Sequence, residues 1–422
     1  MQTEGLIRAI GVFGAGLIVL NSMIGAGIYA LPSALAPLGR WGPWMFIAAG
    51  LAMATVVITF ARLASYFERT GGPVLYTYEA FGPFVCFQTG WLLYLGRVTA
   101  MAANTSLLVD YAARFAPVLG TPTARAVTIA AVVGLLTWAN VAGVRQGMAA
   151  MTALTILKIS PLLLLVTVAL SQAAPELFWP ADPLPVDDLG SAALLLVYAM
   201  VGFEGALVTA GETRNPTRTI PLALVPTVLG VAGFYALIQW AYVSLGSAVD
   251  PDSPVPLADA AHLVLGPHGA TLLTLTAVFS IAGNLAAILV AAPRMTFALG
   301  REGLLPGWFA GVNLRTQAPS HSIIFLAVAA ALLAISGTFL ILAAMSSLAR
   351  MLAYMISMAS LPAIRRTRGE AAWKSEDILA VLALLVCGWV ALQSTTQGWL
   401  TLFAFAAIGT VLYALERRNQ SS

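Results

Sequence analysis

The sequence predicts an all-α integral membrane protein with about twelve transmembrane helices, and three observations carry this prediction. Of the 422 residues, 59% are hydrophobic and only 9% are charged. A typical soluble domain is about 25% charged, so this chain has too few polar side chains to cover itself in water. Its apolar residues also form long runs with short polar connections, and a bilayer-spanning helix needs about 20 such residues. Finally, two of the runs contain clustered glycines, which a helix that only spans would disfavour.

The apolar runs define the predicted spans in order. They are residues 10–36, 42–66, 82–117, 123–141, 147–171, 189–211, 219–246, 269–300, 319–336, 338–361, 377–394 and 397–416. The third and eighth runs are long enough to tilt strongly. The first lacks a cleavage-site pattern, so we expect it to be retained as a span. A short additional helix is expected near residues 257–265. No loop is long enough to bury a core, so residues 1–422 are expected to form one transmembrane domain.

Basic residues predict the orientation of these spans. With an even span count, both termini lie on one side, and only Arg40, Arg114 and Arg125 fall on the other. Fifteen basic residues fall on the side of the termini: Arg8, Arg62, Arg69, Arg145, Arg214, Arg218, Arg294, Arg301, Arg315, Arg365, Arg366, Arg368, Lys374, Arg417 and Arg418. Short cytoplasmic loops carry an excess of Lys and Arg. We therefore expect a multi-pass protein of the cell (inner or plasma) membrane with both termini cytoplasmic.

Two spans have interruptions at matching positions. The first contains NSMIGAGIYALP, residues 21–32, in which Gly25 and Gly27 precede a proline. Glycine costs about 1 kcal/mol and proline about 3 kcal/mol relative to alanine inside a helix. The sixth span contains Gly202 and Gly205 on either side of Glu204. The two spans are five apart and therefore run in opposite directions. This is what an inverted repeat of residues 10–171 and 189–361 requires. Two additional helices are expected in residues 377–416.

Paired glycine-interrupted spans indicate a binding site near the middle of the membrane. A broken helix leaves backbone N–H and C=O groups free at membrane depth, which is tolerated only where another group binds them. The free N–H groups at the start of a half-helix favour an anion such as a carboxylate. The alternative is that these glycines only allow helices to pack closely.

Four sequence blocks resemble the amino acid–polyamine–organocation (APC) superfamily, in its amino acid permease branch. They are MIGAGIYALP, ERTGGPVLYTYEAFGP, GFEGALVTAGETRNPTRTIPLAL and PRMTFALGREGLLPGWF, in an order and spacing that cover nearly the whole chain. The resemblance implies alternating access and an α-amino acid held between the first and sixth helices. It also implies discontinuous first and sixth helices in a repeat of five plus five.

The resemblance further implies which residues bind the substrate. The substrate carboxylate is expected on the backbone of Ile24, Gly25, Ala26 and Gly27. Its amino group is expected near backbone carbonyls of Asn21, Ser22, Tyr198, Ala199 and Val201, with Gly202 in the same site. Tyr198 occupies the position of a gating aromatic residue. Many relatives have serine where this chain has Ala26, so a side-chain hydroxyl is absent from the expected carboxylate site.

Lys158 is an ionisable residue within the fifth span, where a charge is costly and therefore indicates function. The resemblance places it where sodium-coupled relatives hold an ion, with Ser280 and Asn284 as candidate neighbours. A buried lysine readily releases a proton, so we expect proton coupling. The alternative is a fixed ammonium group that only links helices.

Two further charged residues lie within predicted spans. Glu204 follows the sixth-span break, and its alternatives are gating or pH sensing, capping of the half-helix, and contact with a cationic substrate. Arg97 in the third span is a gating candidate, expected to face the cavity or to pair with Glu204 or Asp110.

The sequence leaves three transport mechanisms open. Proton-coupled uptake of a neutral amino acid is favoured by Lys158, whereas a fixed Lys158 favours ion-independent exchange. Export, or transport of a cationic amino acid or polyamine, requires an acid in the cavity. An enzyme is disfavoured because the chain has no nucleophile–base motif or regular metal-ligand spacing, and no metal, cofactor or nucleic acid is expected. A channel is disfavoured because it would require a polar-lined path or a carbonyl filter, and nothing in the sequence suggests either. The oligomeric state is left open.

Overall fold

The computed structural model describes residues 10–67, 71–142, 148–208, 212–371, 374 and 377–421. Arg8, Arg69 and Arg145, which enter the count of basic residues, lie outside these ranges. The described residues are nearly all helical, and their β-type pairing is a single isolated bridge between Ile10 and Thr213.

The α-helices follow the predicted spans in order. They are α1 Val12–Met23, α2 Gly27–Ala34, α3 Gly42–Ser65, α4 Pro73–Phe81, α5 Pro83–Ala113, α6 Pro122–Val141, α7 Met148–Ser171, α8 Val186–Met200, α9 Glu204–Val208, α10 Pro216–Val243, α11 Pro256–Arg301, α12 Ser320–Ser336, α13 Phe339–Ala359, α14 Leu361–Thr367, α15 Ile378–Leu392 and α16 Thr396–Ser421.

The helix lengths agree with a multi-span membrane protein. Within the described residues, seven helices are long and apolar enough to cross a membrane, or eight if the bent pair α1 and α2 counts as one span. Shorter apolar helices lie in α7, α12 and α15, and the interrupted pair α8 and α9 occupies the sixth predicted span. The predicted fold class is therefore confirmed, while the bounds of the two repeats stay a prediction.

The short helix expected before the eighth span is also present. It forms the start of α11, which changes direction at Gly266, where φ is +71°. A positive φ favours glycine because a side chain is strained in that region. This short helix positions Asp259, which pairs with Arg114 at the end of α5.

Helix α5 lies at the centre of the bundle and is almost entirely buried. It packs against α11, α12 and α13, while α3 packs along α10 and α1 also contacts α10. The two interrupted pairs touch each other, because α1 contacts α9 and α2 contacts α8. This arrangement brings both breaks to the interior of the bundle.

Candidate functional site at two facing helix breaks

The first break separates α1 from α2. Helix α1 ends at Met23, and α2 begins at Gly27 after a bend of 48°. Within the part of the chain that the structure describes, no side chain caps the N-terminus of α2, and its first residues are buried. A helix N-terminus has about half a positive charge on its free N–H groups. The break therefore presents uncapped backbone donors inside the bundle.

The second break separates α8 from α9. Helix α8 ends at Met200, and Gly202 has φ +119°, a conformation that side chains strongly disfavour. The N–H of Gly202 donates a 2.8 Å hydrogen bond to Oε2 of Glu204. Glu204 thus satisfies one donor of the broken backbone.

The two breaks lie against each other. A Cβ atom built on Gly202 would lie 2.6 Å from the carbonyl oxygen of Ser22, so the two backbones are closer there than any side chain allows. A Cβ atom built on Gly27 would lie 3.5 Å from the ring of Tyr198. The ring of Tyr198 therefore covers the start of α2, next to the uncapped N–H groups.

Side chains from three other helices bind the carbonyl groups at the end of α1. Lys158 Nζ on α7 donates to the oxygen of Ile24 at 3.1 Å, and Tyr235 on α10 donates to Met23 at 3.0 Å. Asn284 Nδ2 on α11 lies 3.4 Å and 3.5 Å from the oxygens of Asn21 and Ser22. Buried carbonyl groups need such partners. The interruption of the first span is therefore stabilised from outside the helix.

The carbonyl groups at the end of α8 differ from those of α1. Within the described ranges, no side chain or loop N–H donates to the oxygens of Tyr198, Ala199 or Val201. All three residues are buried. This end of the site offers open acceptors, which suit an ammonium group.

A chain of hydrogen bonds connects the two breaks through Asn104 on α5. The hydroxyl of Tyr198 donates to Asn104 Oδ1 at 2.7 Å, and Asn104 Nδ2 donates to Asn284 Oδ1 at 2.7 Å. Asn284 then donates to the carbonyl oxygens of Asn21 and Ser22 on α1. Sequence reasoning missed Asn104, although a lone asparagine in a long apolar span is a signal that it serves a polar partner.

Lys158 and the two neighbours predicted for it, Ser280 and Asn284, form no direct hydrogen bond in the described part of the chain. The hydroxyls of Ser280 and Tyr29 lie close to each other, and each is buried without a hydrogen bond of good geometry. Lys158 is itself 5% exposed. Its ammonium group therefore depends on the Ile24 carbonyl.

The charged residues form a cluster behind the second break. Glu204 lies between two arginines, with Oε2 3.9 Å from Arg97 Nη2 and Oε1 3.7 Å from Arg350 Nε. Asp110, the other partner considered for Arg97, pairs with Arg125 instead. The rings of Phe60, Phe203 and Tyr354 pack together beside this cluster.

Two facing helix breaks inside an apolar helical bundle are typical of a membrane transporter with discontinuous helices. The sequence profile of the amino acid permease family matches residues 10–415. The chain belongs to this family of the APC superfamily. It is a transporter and not an enzyme.

Three relatives illustrate the family. The chain is 25% identical to the methylthioribose transporter of Bacillus subtilis, over 100% of this chain and 95% of that protein. It is 26% identical to the branched-chain amino acid permease BcaP of Bacillus subtilis, over 99% and 95%. It is 29% identical to the vacuolar cationic amino acid transporter 2 of Arabidopsis thaliana, over 84% of this chain but 59% of that protein.

Proposed function

We propose that the chain is a secondary active transporter that moves a neutral α-amino acid across the cell membrane by alternating access, coupled to a proton on Lys158. The observation that carries this proposal is the 3.1 Å hydrogen bond from Lys158 Nζ to the Ile24 carbonyl at the first break. It joins the only lysine among the predicted spans to the backbone that binds substrate.

The backbone of the breaks holds both charged ends of the amino acid. The carboxylate binds the backbone at Gly25, Ala26 and Gly27, where the helix dipole favours an anion. The N–H of Gly25 donates to the Met23 carbonyl at 2.9 Å, so the uncapped donors are those of Ala26 and Gly27. Because Ala26 has no side-chain hydroxyl, only backbone groups bind the carboxylate at this position. The ammonium group binds near Asn21 and Ser22 and at the open carbonyls of Tyr198, Ala199 and Val201. Tyr198 covers the substrate and gates its release.

The charges around the breaks disfavour a cationic substrate side chain. Glu204 interacts with both Arg97 and Arg350, and Asp110 with Arg125. Each of these acids is therefore opposed by a cation, and Lys158 adds a further positive charge. A lysine or polyamine substrate would meet repulsion here, because interactions between charges are strong where little water screens them.

Lys158 couples the proton by changing the bond that stabilises the first break. A protonated ammonium donates a charge-assisted hydrogen bond, which is about twice as strong as one from a neutral donor. Loss of the proton weakens the contact with Ile24 and releases the end of α1. The proton and the substrate thereby favour the same position of α1 and α2.

An ion-independent exchanger is the second candidate, because a permanently charged Lys158 would make the same bond to Ile24. In that mechanism the ammonium only links α7 to α1. Export, or transport of a cationic substrate, would require Glu204 to leave its arginines. In all three mechanisms we place both termini in the cytoplasm.

Uptake into liposomes tests these mechanisms. Purified protein is offered labelled neutral, branched-chain, acidic and cationic amino acids and methylthioribose, with and without an inward proton gradient. We expect a neutral amino acid to accumulate in empty vesicles only with the gradient. Lys158→Gln should lose this dependence, while Lys374→Gln, which removes an exposed lysine, should keep it. Uptake only into preloaded vesicles, indifferent to the gradient, would establish exchange instead.

A further inference from the structure

The charge cluster behind the second break is not balanced. Among the described residues, Arg97 on α5 and Arg350 on α13 face a single carboxylate, that of Glu204. The three side chains are 17%, 4% and 5% exposed, so the cluster has one excess positive charge inside the bundle. A buried charge without a partner is costly.

The arginines also lack hydrogen bonds. Their distances to Glu204, 3.9 Å and 3.7 Å, are too long for direct hydrogen bonds. Neither guanidinium donates a hydrogen bond to any residue within the described ranges, and Nε of Arg350 is fully buried without a partner. A guanidinium has five N–H donors and no acceptor. Buried donors of this kind require an acceptor.

The surrounding residues hold the arginines in place. A Cβ atom at Gly96 would lie 2.9 Å from Cγ of Arg350, so the glycine lets the arginine stem cross α5. Ser346, one turn before Arg350, donates to the Gly96 carbonyl at 2.7 Å. The guanidinium of Arg350, which donates no hydrogen bond within the described ranges, is therefore held by packing beside Glu204, and Glu204 is bonded to the second break through Gly202.

We propose that Arg97 and Arg350 bind one monovalent anionic group, which makes the cluster electrically neutral. The group is either a free halide such as chloride or a carboxylate on the side chain of a substrate. Either source supplies one negative charge and the acceptors that the guanidinium groups lack. This site is separate from the backbone donors of α2 and does not depend on Lys158.

Binding is measured without transport, so that a failure of the transport proposal does not affect the result. The full chain is purified in detergent in gluconate, and its unfolding temperature is followed as chloride replaces gluconate at constant ionic strength. We expect a saturable rise. Arg350→Gln should weaken the apparent chloride affinity at least about tenfold, because a hydrogen bond to a charged group is lost. Arg366→Gln, which removes an exposed arginine on α14, should leave the affinity unchanged.

A second variant has the opposite expected sign. Glu204→Gln removes the only carboxylate of the cluster and keeps an oxygen for the Gly202 N–H, so chloride should bind about tenfold more tightly or better. A variant that was merely damaged would not bind more tightly. This outcome therefore keeps the test decisive even if Arg350→Gln does not fold.

Amino acids distinguish the two sources of the anion. In gluconate, glutamate should raise the unfolding temperature more than glutamine and compete with chloride if the substrate supplies the carboxylate. A response to chloride that glutamate does not compete with identifies a free halide. The proposal is overturned if neither chloride nor glutamate gives a saturable rise, or if Glu204→Gln binds chloride no more tightly than the unmodified protein.

Discussion

The contact between the two helix breaks makes Gly202→Ala the most informative single substitution for the fold of the site. The added Cβ atom would lie 2.6 Å from the oxygen and 2.8 Å from the carbon of the Ser22 carbonyl, whereas ordinary contact begins near 3.4 Å. The carbonyl belongs to the backbone and cannot rotate away as a side chain would. One of the two breaks must therefore move.

The expected cost has two parts. An alanine held at φ +119° is strained by about 1–3 kcal/mol. Overpacking in a well-packed interior typically adds about 1–3 kcal/mol. We therefore expect Gly202→Ala to lower the free energy of unfolding by about 2–6 kcal/mol and to abolish substrate uptake, because the acceptors on α8 move relative to the start of α2.

Gly230→Ala on α10 is the matched control. No described atom lies within 4 Å of a Cβ atom there, and the residue is within a helix. Alanine should stabilise this position by up to about 1 kcal/mol and leave uptake intact. Unfolding in detergent and uptake into liposomes are measured on both variants. If Gly202→Ala unfolds and transports like the unmodified protein, the two breaks do not pack as described.

Three further predictions concern the groups around the breaks. Gly25→Ala places a Cβ atom 3.1 Å from the Asn284 amide, whereas Gly27→Ala makes only ordinary contacts. Substrate affinity should therefore fall in the first variant and persist in the second. Equal losses of affinity in both variants would contradict this geometry. Asn104→Ala leaves the buried partners of Asn104, on Tyr198 and Asn284, without their hydrogen bonds, at a cost of about 1–3 kcal/mol each. Both the unfolding temperature and the substrate affinity should fall. An unchanged unfolding temperature would refute the hydrogen-bond network. Burial raises the pKa of Asp377, but the hydrogen bonds it accepts from a neighbouring N–H and a guanidinium outweigh this and hold the pKa below its usual range. The stabilisation by the Asp377 carboxylate is therefore present above about pH 4 and is lost as the pH falls through the native-state pKa. Asp377→Asn should accordingly lose less stability than the unmodified protein between pH 7 and pH 3. An equal loss of stability in both proteins would count against a stabilising role for this carboxylate.

The sequence was sufficient to predict the spans and both breaks, because these depend on local properties. Long apolar runs separate the spans, and clustered glycines mark Gly25–Gly27 and Gly202–Gly205. The short helix near residues 257–265 was likewise predicted from a short apolar segment before a longer one.

The partners of individual side chains were harder to predict, because they depend on how far each helix is rotated. Asn284 was expected near Lys158, but its hydrogen bond to Asn104 on α5 was not predicted. Tyr235 binds the Met23 carbonyl from a helix that is more than 200 residues away in sequence. Such contacts depend on the rotation and depth of α5, α10 and α11, which hydrophobic runs do not determine.

Proton movement during transport tests the central claim most directly. Protein is reconstituted into liposomes that contain a pH-sensitive dye, and a neutral amino acid is added outside without any imposed gradient. We expect the vesicle interior to acidify as the substrate enters, and we expect no acidification with Lys158→Gln under conditions where Lys374→Gln behaves normally. Entry of labelled substrate into empty vesicles with no change in internal pH would contradict proton coupling through Lys158.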